Sequence, residues 1–543
     1  MMKKKTAALL GAAMLLAAIS GCGNGAGSSA AGSGGSSAAE SGAGSVAGET
    51  AGGETDGKKI FTAGATTGFF GAESLDVAYN WDGWIMSIYG ISENLFRLDE
   101  NYVPQPWLAE SYENVDDLTW KFQIREGVTF SDGNPVTAEA VKKCFERTYE
   151  QNERGASTLP IKSMEAEGQT LTIVTEAPNP TILNDLCDPL MGVYDADGEV
   201  DPELGVSCTG PFIATAFTAM TEVEMVKNEN YWGGEPKVDG VNLKIIDDEE
   251  ALNMALQNGE IDLIAQLPAS GVPVFAGNDS VTMESKTSTR ANLLAYNMEH
   301  AAVQDQAVRD AIGKCIDRDA FAEVVYNGYA TPSYGVYPES LPYGKTDGMD
   351  LTVTGYDPEG AAKFLADAGY QDTDNDGILD RDGTELEVKM LTYSYNNQCI
   401  QLADMLQAEL QGIGIGVSIE TQDVLDEPLE KGEFDVAILN YAMAPTGSAQ
   451  YLVSMLFDSS SSGNYAHYKN DTVDELSEKL KTTFDENERN KIATDICGQV
   501  LADRVYDFVA HQQLICVYSN KVTGFTVNPS EYYLITNEIG LEG

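Results

Sequence analysis

Residues 93–150 constrain the fold of this chain more than any other stretch. Between 118 and 124, apolar and polar side chains alternate, which predicts a half-buried β-strand. Residues 131–135 read Ser-Asp-Gly-Asn-Pro, a composition typical of a tight turn. Thr137 then offers a hydroxyl N-cap, and Glu139 is an acidic residue in the first turn of a helix. The stretch therefore predicts a strand, a turn and a capped helix, in that order.

The same stretch carries sequence motifs in a fixed order. They read E-N-L-F-R-L-D, P-x-L-A-E-S-Y, L-T-W-K-F-Q-I-R-E-G-V-T-F-S-D-G-N-P-V-T-A-E-A-V and F-E-R. Together they closely resemble the signature of the family 5 extracellular solute-binding proteins, the nickel, dipeptide and oligopeptide receptors of ABC importers. Weaker resemblance continues over residues 58–543. It implies an α/β fold with mixed sheets and two periplasmic-binding-protein-like lobes, with a hinge and a ligand cleft between them.

The resemblance also implies a division of the chain between the two lobes. The first lobe is expected to comprise residues 58–265 plus 508–543, and the second lobe residues 266–507. The first crossing falls near Gln266, after a strand–helix–strand pattern. The return falls near residues 503–507, where an apolar stretch begins.

The N-terminus has the features of a targeting segment. Residues 1–21 contain three consecutive lysines and an apolar run of about 13 residues, which is too short to span a bilayer. The run ends in I-S-G-C, which resembles a bacterial lipobox with Cys22 as the lipidated residue. The alternative is a secretory signal in which Cys22 is incidental. Residues 22–57 are mostly Gly, Ser and Ala, and are expected to form a disordered tether after the lipid anchor.

The composition restricts the possible partners. Asp and Glu number 85 against 33 Lys and Arg, which gives a net charge of −52. Such a surface repels phosphate backbones, so a nucleic acid is not an expected partner. The same negative charge gives no electrostatic attraction to an anionic membrane surface.

Cysteine usage predicts core residues more than disulfides. Seven cysteines follow Cys22, without a C-x-x-C motif, and an odd number cannot all pair within one chain. Most of them fall in helical or strand patterns. Cys187 and Cys208 are the one pair that we consider for a disulfide.

The family resemblance identifies candidate ligand contacts. In relatives, the loop and helix corresponding to residues 79–90 line the cleft, so Trp84 and Tyr89 are candidates; the alternative for both, and more so for Tyr89, is a place in the core. In nickel-type receptors an arginine near Arg154 holds carboxylates of the metal chelate, and a planar guanidinium suits that role. The alternative is that Arg154 forms an ion pair at the protein surface and does not contact the ligand. Arg290 lies on a predicted strand that borders the cleft in relatives, which makes it a second candidate anchor.

Residues 434–457 discriminate between the branches of the family. A buried strand is followed by a loop, and ligands commonly bind at the carboxyl ends of strands in α/β sheets. We therefore add Tyr441, Met443 and Thr446 to the candidate ligand contacts, together with Tyr395. Peptide-binding relatives place an aspartate in this loop to pair with the peptide α-amino group. Here residues 444–448 read A-P-T-G-S and contain no acid, and the pattern A-P…Q-Y-L-x-S-M that begins with them looks like the nickel branch.

The histidines argue against a direct bond between the protein and nickel. Some nickel receptors have a metal-coordinating histidine in this loop, where this chain has Ala449. Its three histidines, His300, His467 and His511, are far apart in sequence. A metal enclosed by its own chelator is compatible with this composition.

Residues 372–383 partly match a calcium-binding loop. Asp372, Asp374 and Asp376 alternate along the chain, Gly377 follows, and Asp380 comes three residues later. The glutamate required at position twelve is missing, because Gly383 stands there, and flanking EF-hand helices are not evident. A structural calcium site is one hypothesis, and a metal-free turn is the other.

These patterns predict a solute receptor, expected to be a monomer, on the outer face of the cytoplasmic membrane. It would capture a nickel-type metal chelate or a small peptide and deliver it to a permease that separate ATPase subunits drive. The alternative is a dipeptide or oligopeptide receptor for uptake or signalling. An extracellular hydrolase is disfavoured, because the sequence has no G-x-S-x-G and no H-E-x-x-H motif. No cofactor is expected.

Overall fold

The computed structural model describes residues 57–349, 351 and 354–542. The predicted signal peptide, Cys22 and all but the last residue of the predicted tether lie outside these residues. A search of the described helices found none with the length and apolar composition needed to cross a membrane.

The strands of the described residues are short, apart from two. They are β1 (Ile60–Ala65), β2 (Phe96–Leu98), β3 (Pro104–Pro106), β4 (Ala109–Asn114), β5 (Thr119–Ile124), β6 (Ile161–Glu167), β7 (Thr170–Thr175), β8 (Phe212–Thr218), β9 (Glu222–Lys227), β10 (Gly240–Ile245), β11 (Leu263–Ile264), β12 (Val281–Tyr296), β13 (Ala330–Pro332), β14 (Asp380–Arg381), β15 (Thr384–Glu385), β16 (Glu387–Tyr393), β17 (Gly416–Gln422), β18 (Val436–Ala442), β19 (Tyr506–Ser519), β20 (Val522–Thr523) and β21 (Gly540–Leu541).

The helices lie singly or in groups between these strands. They are α1 (Thr67–Phe70), α2 (Asp82–Ile88), α3 (Ala138–Gln151), α4 (Arg154–Thr158), α5 (Ile182–Asp185), α6 (Glu249–Asn258), α7 (Val272–Phe275), α8 (Ala301–Gln304), α9 (Gln306–Lys314), α10 (Arg318–Ala320), α11 (Pro358–Asp367), α12 (Asn397–Gly412), α13 (Asp426–Glu430), α14 (Ala449–Leu452), α15 (Asp471–Thr482) and α16 (Glu486–Asp503). Short 3-10 turns at Pro189–Met191 and Ala269–Gly271 and π-turns at Phe321–Val325 and Val453–Phe457 complete the set.

One large mixed sheet dominates the architecture. Its strand order is β17-β16-β18-β12-β19-β11-β1-β10-β9-β8, with β13 paired to β19 beside this path. Pairs such as β1–β10 and β16–β17 are parallel, whereas β12–β19 and β12–β18 are antiparallel. Strands β4-β5-β7-β6 form a separate antiparallel sheet. The prediction of an α/β fold with mixed sheets is confirmed.

The stretch that opened the sequence analysis folds as its pattern predicts. In β5 the side chains of Trp120, Phe122 and Ile124 are buried, while the residues between them are more exposed. Helix α3 begins after Thr137, whose Oγ1 accepts a hydrogen bond from the backbone N–H of Ala140 at 3.1 Å. Local hydrophobic periodicity and side-chain capping therefore predicted this unit correctly, and pairing of β5 with β7 places its apolar face in the core.

Strands β12 and β19 are the longest in the chain and pair along most of their length. Non-glycine residues with positive φ lie close to both predicted crossings, Gln266 at 55° and Arg504 at 47°. The sheet runs through β12 and β19 without interruption, and Thr55–Gly543 form one compact unit. The division into lobes at residues 265/266 and 507/508 stays a prediction.

A buried ionic cluster holds the start of β19. The Asp507 carboxylate accepts hydrogen bonds from Arg318 Nη2 at 3.0 Å, Arg504 Nη1 at 2.7 Å and the Tyr296 hydroxyl at 2.7 Å. Asp507, Arg318 and Arg504 are each at most 2% exposed. Because a buried charge is costly unless it is paired, these groups specify one arrangement of α10, β12 and β19.

The seven described cysteines are buried and free. The Cys187 thiol donates to the Leu183 carbonyl, and the Cys208 thiol to the Val206 carbonyl, so the disulfide considered for this pair is not formed. Burial raises the pKa of both thiols well above its ordinary value. They behave as small core residues, as most of the cysteines were expected to.

Candidate functional site

A cavity of about 700 Å³ lies where the first predicted lobe faces the second. Its lining comes from α1 and α2, from residues 266–269, from β12 and β19, from residues 393–398 and from the C-terminal segment. Aromatic rings form much of its wall: Phe69, Trp81, Trp84, Tyr326, Tyr393 and Tyr395. Ligand-binding pockets commonly have this size and this mixture of apolar walls and a few polar groups.

Arg290 and Glu531 form an ion pair in the cavity lining. Arg290 Nη2 lies 3.3 Å from Glu531 Oε2, and Glu531 has a φ of 67°. Glu531 raises the pKa of the Arg290 guanidinium, which keeps it charged. The structure therefore places the predicted anchor Arg290 at the cavity, but with a carboxylate partner that the sequence did not reveal.

Asp82 is a second carboxylate in the lining, and sequence reasoning missed it. It is the first residue of α2 and is 5% exposed. Its Oδ2 accepts backbone hydrogen bonds from Ser74 at 2.6 Å and Glu73 at 3.1 Å. Burial raises the pKa of Asp82 from 3.8 to about 6. The available signal was an acidic residue between two tryptophans, in W-D-G-W, at a helix start.

Unused hydrogen-bond capacity also occurs elsewhere in the cavity lining. Asn440, near the end of β18, has a buried Nδ2 without an acceptor among the described residues. Beside it, Gln512 Nε2 donates to the Tyr326 hydroxyl at 2.8 Å, and this hydroxyl donates to Asn292 Oδ1 at 2.7 Å. Asn440 therefore offers a donor to a ligand, because buried donors are normally satisfied.

Arg154 lies in a smaller pocket that shares Trp81 and Trp84 with the main cavity. Its guanidinium lies over the Trp81 ring, 3.3 Å from the ring centroid, and its hydrogen bond to the Asn80 carbonyl is long, at 3.5 Å. Arg154 has no ion-pair partner in the described part of the chain. Trp84, which packs edge-on against Tyr532 at 5.1 Å, joins the two pockets.

The remaining predicted contacts are divided between the cavity and the core. Tyr395 is 67% exposed and lines the cavity. Tyr89 is 2% exposed and donates its hydroxyl proton to the Phe70 carbonyl. Met443 and Thr446 are 0% and 6% exposed, and Tyr441 is half-buried outside the cavity lining. Their side chains offer little surface to a ligand, because the loop after β18 turns into the core.

The histidines lie away from the cavity. His300 Nδ1 is 2.9 Å from Asp435 Oδ1, and the buried His511 Nε2 is 3.0 Å from the Ser333 hydroxyl. Burial lowers the pKa of His511 to about 4. Among the described residues that line the cavity there is neither histidine nor cysteine, so its metal-ligating groups are carboxylates.

Three of the four predicted calcium ligands converge. Carboxylate oxygens of Asp372, Asp374 and Asp376 lie within 4.8 Å of one another on an exposed loop. Asp380 instead accepts hydrogen bonds from the backbone and hydroxyl of Thr373, at 2.9 and 2.7 Å. The short hairpin β14–β15 follows the loop where an EF-hand would have a helix. Calcium binding stays a prediction.

Comparison with known proteins agrees with the resemblance found in the sequence. The family described as bacterial extracellular solute-binding proteins, family 5, middle region, matches residues 103–464. The nickel-binding protein NikA of Staphylococcus aureus is 26% identical over 454 residues, covering 83% of this chain and 89% of NikA. The glutathione-binding protein GsiB of Pectobacterium atrosepticum is 27% identical over 463 residues, covering 81% of this chain and 87% of GsiB.

Solved structures give the same result for the fold. The crystal structure of S. aureus NikA in complex with Ni(L-His)2 has a TM-score of 0.74 and 25% identity, covering 89% of this chain and all of that chain. The nickel ABC transporter structure from Bacillus halodurans has a TM-score of 0.77 and 27% identity, with the same coverage.

Substitution of Asp82 by Asn tests the electrostatics of the cavity. Asn keeps an oxygen acceptor for the backbone N–H groups of Glu73 and Ser74 but removes the charge. Because the folded pKa of about 6 exceeds the ordinary 3.8, the folded state binds this proton more tightly than the unfolded state. The ligand-free wild type should therefore lose stability relative to Asp82→Asn as the pH rises from about 4 to about 6.

Urea unfolding of both proteins at several pH values in this range measures the effect. Above about pH 6 the stability difference should become constant, because the wild-type carboxyl group is then ionised in both the folded and the unfolded state. A stability difference that does not change with pH would contradict the assignment of a raised pKa.

Proposed function

Because the chain belongs to the family 5 bacterial extracellular solute-binding proteins, we propose that it is the substrate-binding protein of an ABC importer. The family match covers more than half of the chain, and its members are solute receptors rather than enzymes. In this role the protein binds a ligand outside the cell and delivers it, as a monomer, to a permease that separate ATPase subunits drive.

The cavity of about 700 Å³ is the observation that carries this proposal. It lies at the junction of the two predicted lobes, and its aromatic walls are interrupted by a small number of charged and amide groups. Such a lining gives affinity through apolar contact and orientation through a few hydrogen bonds.

The leading ligand is a nickel-type metal chelate. The described lining lacks histidine and cysteine, so a bound metal would bring its own nitrogen ligands and be recognised through its chelator. Residues 444–448 also lack the carboxylate with which peptide-binding relatives hold an α-amino group. The nickel-binding relative covers most of the chain, which supports this choice.

A small peptide is the second candidate. The similarity to a glutathione-binding protein favours it, and so does Asp82, which supplies a buried carboxylate elsewhere in the cavity. The ligand contacts that we propose are Trp84, Arg154, Arg290 and Tyr395.

Calorimetry with substituted arginines tests this proposal. Nickel or cobalt with a histidine-like chelator should bind at micromolar affinity or better, roughly −8 kcal/mol, whereas the metal alone should not. Arg154→Ala should weaken binding by one to two orders of magnitude, about 1.5–3 kcal/mol, because a charged hydrogen bond is lost. Arg381→Ala is the matched control, because Arg381 pairs with Asp305 outside the cavity and should leave the affinity unchanged. Tight binding of unmodified tripeptides, without a response to chelates or to Arg154→Ala, would favour the peptide receptor.

We propose that the two lobes close over the ligand, with hinges at Gln266 and at residues 503–507. The positive φ values at Gln266 and Arg504 support these positions, since hinge residues must absorb changes in backbone angle. Saturation with a binding ligand should reduce the radius of gyration in small-angle scattering and raise the melting temperature. A ligand that raises the melting temperature without compaction would argue against closure.

We also propose that Cys22 carries a lipid anchor, which rests on the I-S-G-C motif alone. Two or more acyl chains give stable membrane attachment. Cys22→Ser should therefore release the protein into the medium or leave an unprocessed precursor, and detergent-phase partitioning measures the change. Unaltered partitioning with normal processing would show that Cys22 is not the attachment site.

A further inference from the structure

The cavity also carries a constraint on the charge of its ligand. We propose that Asp82 receives a positively charged group of the ligand, so that the cavity selects neutral or zwitterionic molecules and disfavours polyanionic chelates. This inference rests on the proposed function, because it assumes that the ligand occupies this cavity. It narrows the ligand class from any metal chelate or peptide to those that present a cationic nitrogen or N–H groups polarised by a bound metal.

The position of Asp82 is the first argument. Its side chain is 5% exposed and lines the cavity between Trp81 and Trp84. Both of its backbone hydrogen bonds, from Glu73 and Ser74, end on Oδ2. Within the described part of the chain, Oδ1 therefore has no donor, and it is the oxygen available to a ligand.

The absence of a protein cation is the second argument. Asp82 forms no ion pair with any described residue. Arg147 is committed to Asp76, through contacts of 3.0 and 2.5 Å, and Arg290 is committed to Glu531. A buried carboxylate without a partner is costly, and a ligand cation would relieve that cost.

The charges of the residues that line the cavity also favour a ligand without net negative charge. Three carboxylates line the cavity, those of Asp82, Glu249 and Glu531, against the guanidinium of Arg290 in the lining and that of Arg154 in the adjoining pocket. A chelate with several free carboxylates would therefore meet net repulsion in a partly desolvated space. A ligand that is neutral overall would not.

Other residues of the cavity lining supply the complementary groups. Asn440 Nδ2 is buried without an acceptor, and Arg290 offers further N–H donors beyond its contact with Glu531. These donors suit a carboxylate or carbonyl oxygen of the ligand. An acceptor at Asp82 and donors at Asn440 together match a zwitterion, such as a free peptide, or a neutral metal complex of amino acids whose N–H groups are polarised by the metal.

The local surroundings of Asp82 are acidic or neutral. Glu73 and Asp76 both raise the pKa of Asp82, and Tyr79 and Tyr89 are the titratable groups of the adjoining chain that interact with it. Asp76 is offset by Arg147, as described above. The alternative role for Asp82 is only to fix the 73–74 loop at the start of α2, and the test must separate the two.

Paired probes that differ in charge provide this test. Calorimetry at pH 7.5 measures the affinities of two pairs of ligands. One pair is trialanine and N-acetyl-trialanine, and the other is nickel–histidine and nickel–EDTA. Each pair is measured with the wild type, Asp82→Asn and Glu73→Gln. The wild type should prefer the free-amino peptide, the neutral nickel complex, or both, by about tenfold or more, the effect of one charged hydrogen bond. Asp82→Asn should reduce this preference to less than about threefold, whereas Glu73→Gln, which removes a charge on the exposed neighbouring residue, should retain it.

The outcomes distinguish the two proposals. Equal preference in the wild type and in Asp82→Asn would overturn the role of Asp82 while leaving the receptor function intact. If no probe binds the wild type, the proposed ligand classes and the inference about Asp82 fail together. Binding of either pair of probes without a preference for the less negative member overturns the inference alone.

Discussion

The antiparallel pairing of β12 with β19 is the interaction on which the rest of the structure depends. These two strands are neighbours within the large sheet. Every path of hydrogen-bonded strands from one end of the sheet to the other passes through both of them. The buried contacts of Asp507 with Arg318, Arg504 and Tyr296 fix the beginning of β19. Removing one member of such a cluster commonly costs about 3–5 kcal/mol, because the remaining charges stay buried without compensation.

The cavity follows from the geometry of these strands. The β12–β19 ladder shifts register between Thr287 and Ala291, and Arg290 lies inside this irregularity. Such irregularities bend a strand and redirect its side chains, here placing Arg290 at the cavity. Gln512 and Gln513 of β19 line the same space. The site is thus built on two central strands and completed by α2 and the C-terminal segment, which are distant in sequence.

Charged groups at the cavity lower the stability of the ligand-free protein, and the same groups are available to bind a ligand. Asp82 is buried without a cation, and burial raises its pKa to about 6, which costs stability at neutral pH. Arg154 similarly lies on the Trp81 ring without a carboxylate partner among the described residues. Groups left unsatisfied in this way are typical of binding sites, where the ligand supplies the missing partner.

The sequence alone determined the elements that depend on neighbouring residues. The alternation in β5 and the Thr137 cap of α3 predicted these two elements, because periodicity and capping act over a few residues. The resemblance of the ordered motifs in residues 93–150 implied the fold class and the family. Tertiary structure decided which side chains reach the cavity. It turned Met443 and Thr446 into the core, gave Arg290 a partner in Glu531 and placed Asp82 in the lining of the cavity. These outcomes depend on packing between segments hundreds of residues apart, about which local sequence patterns carry no information.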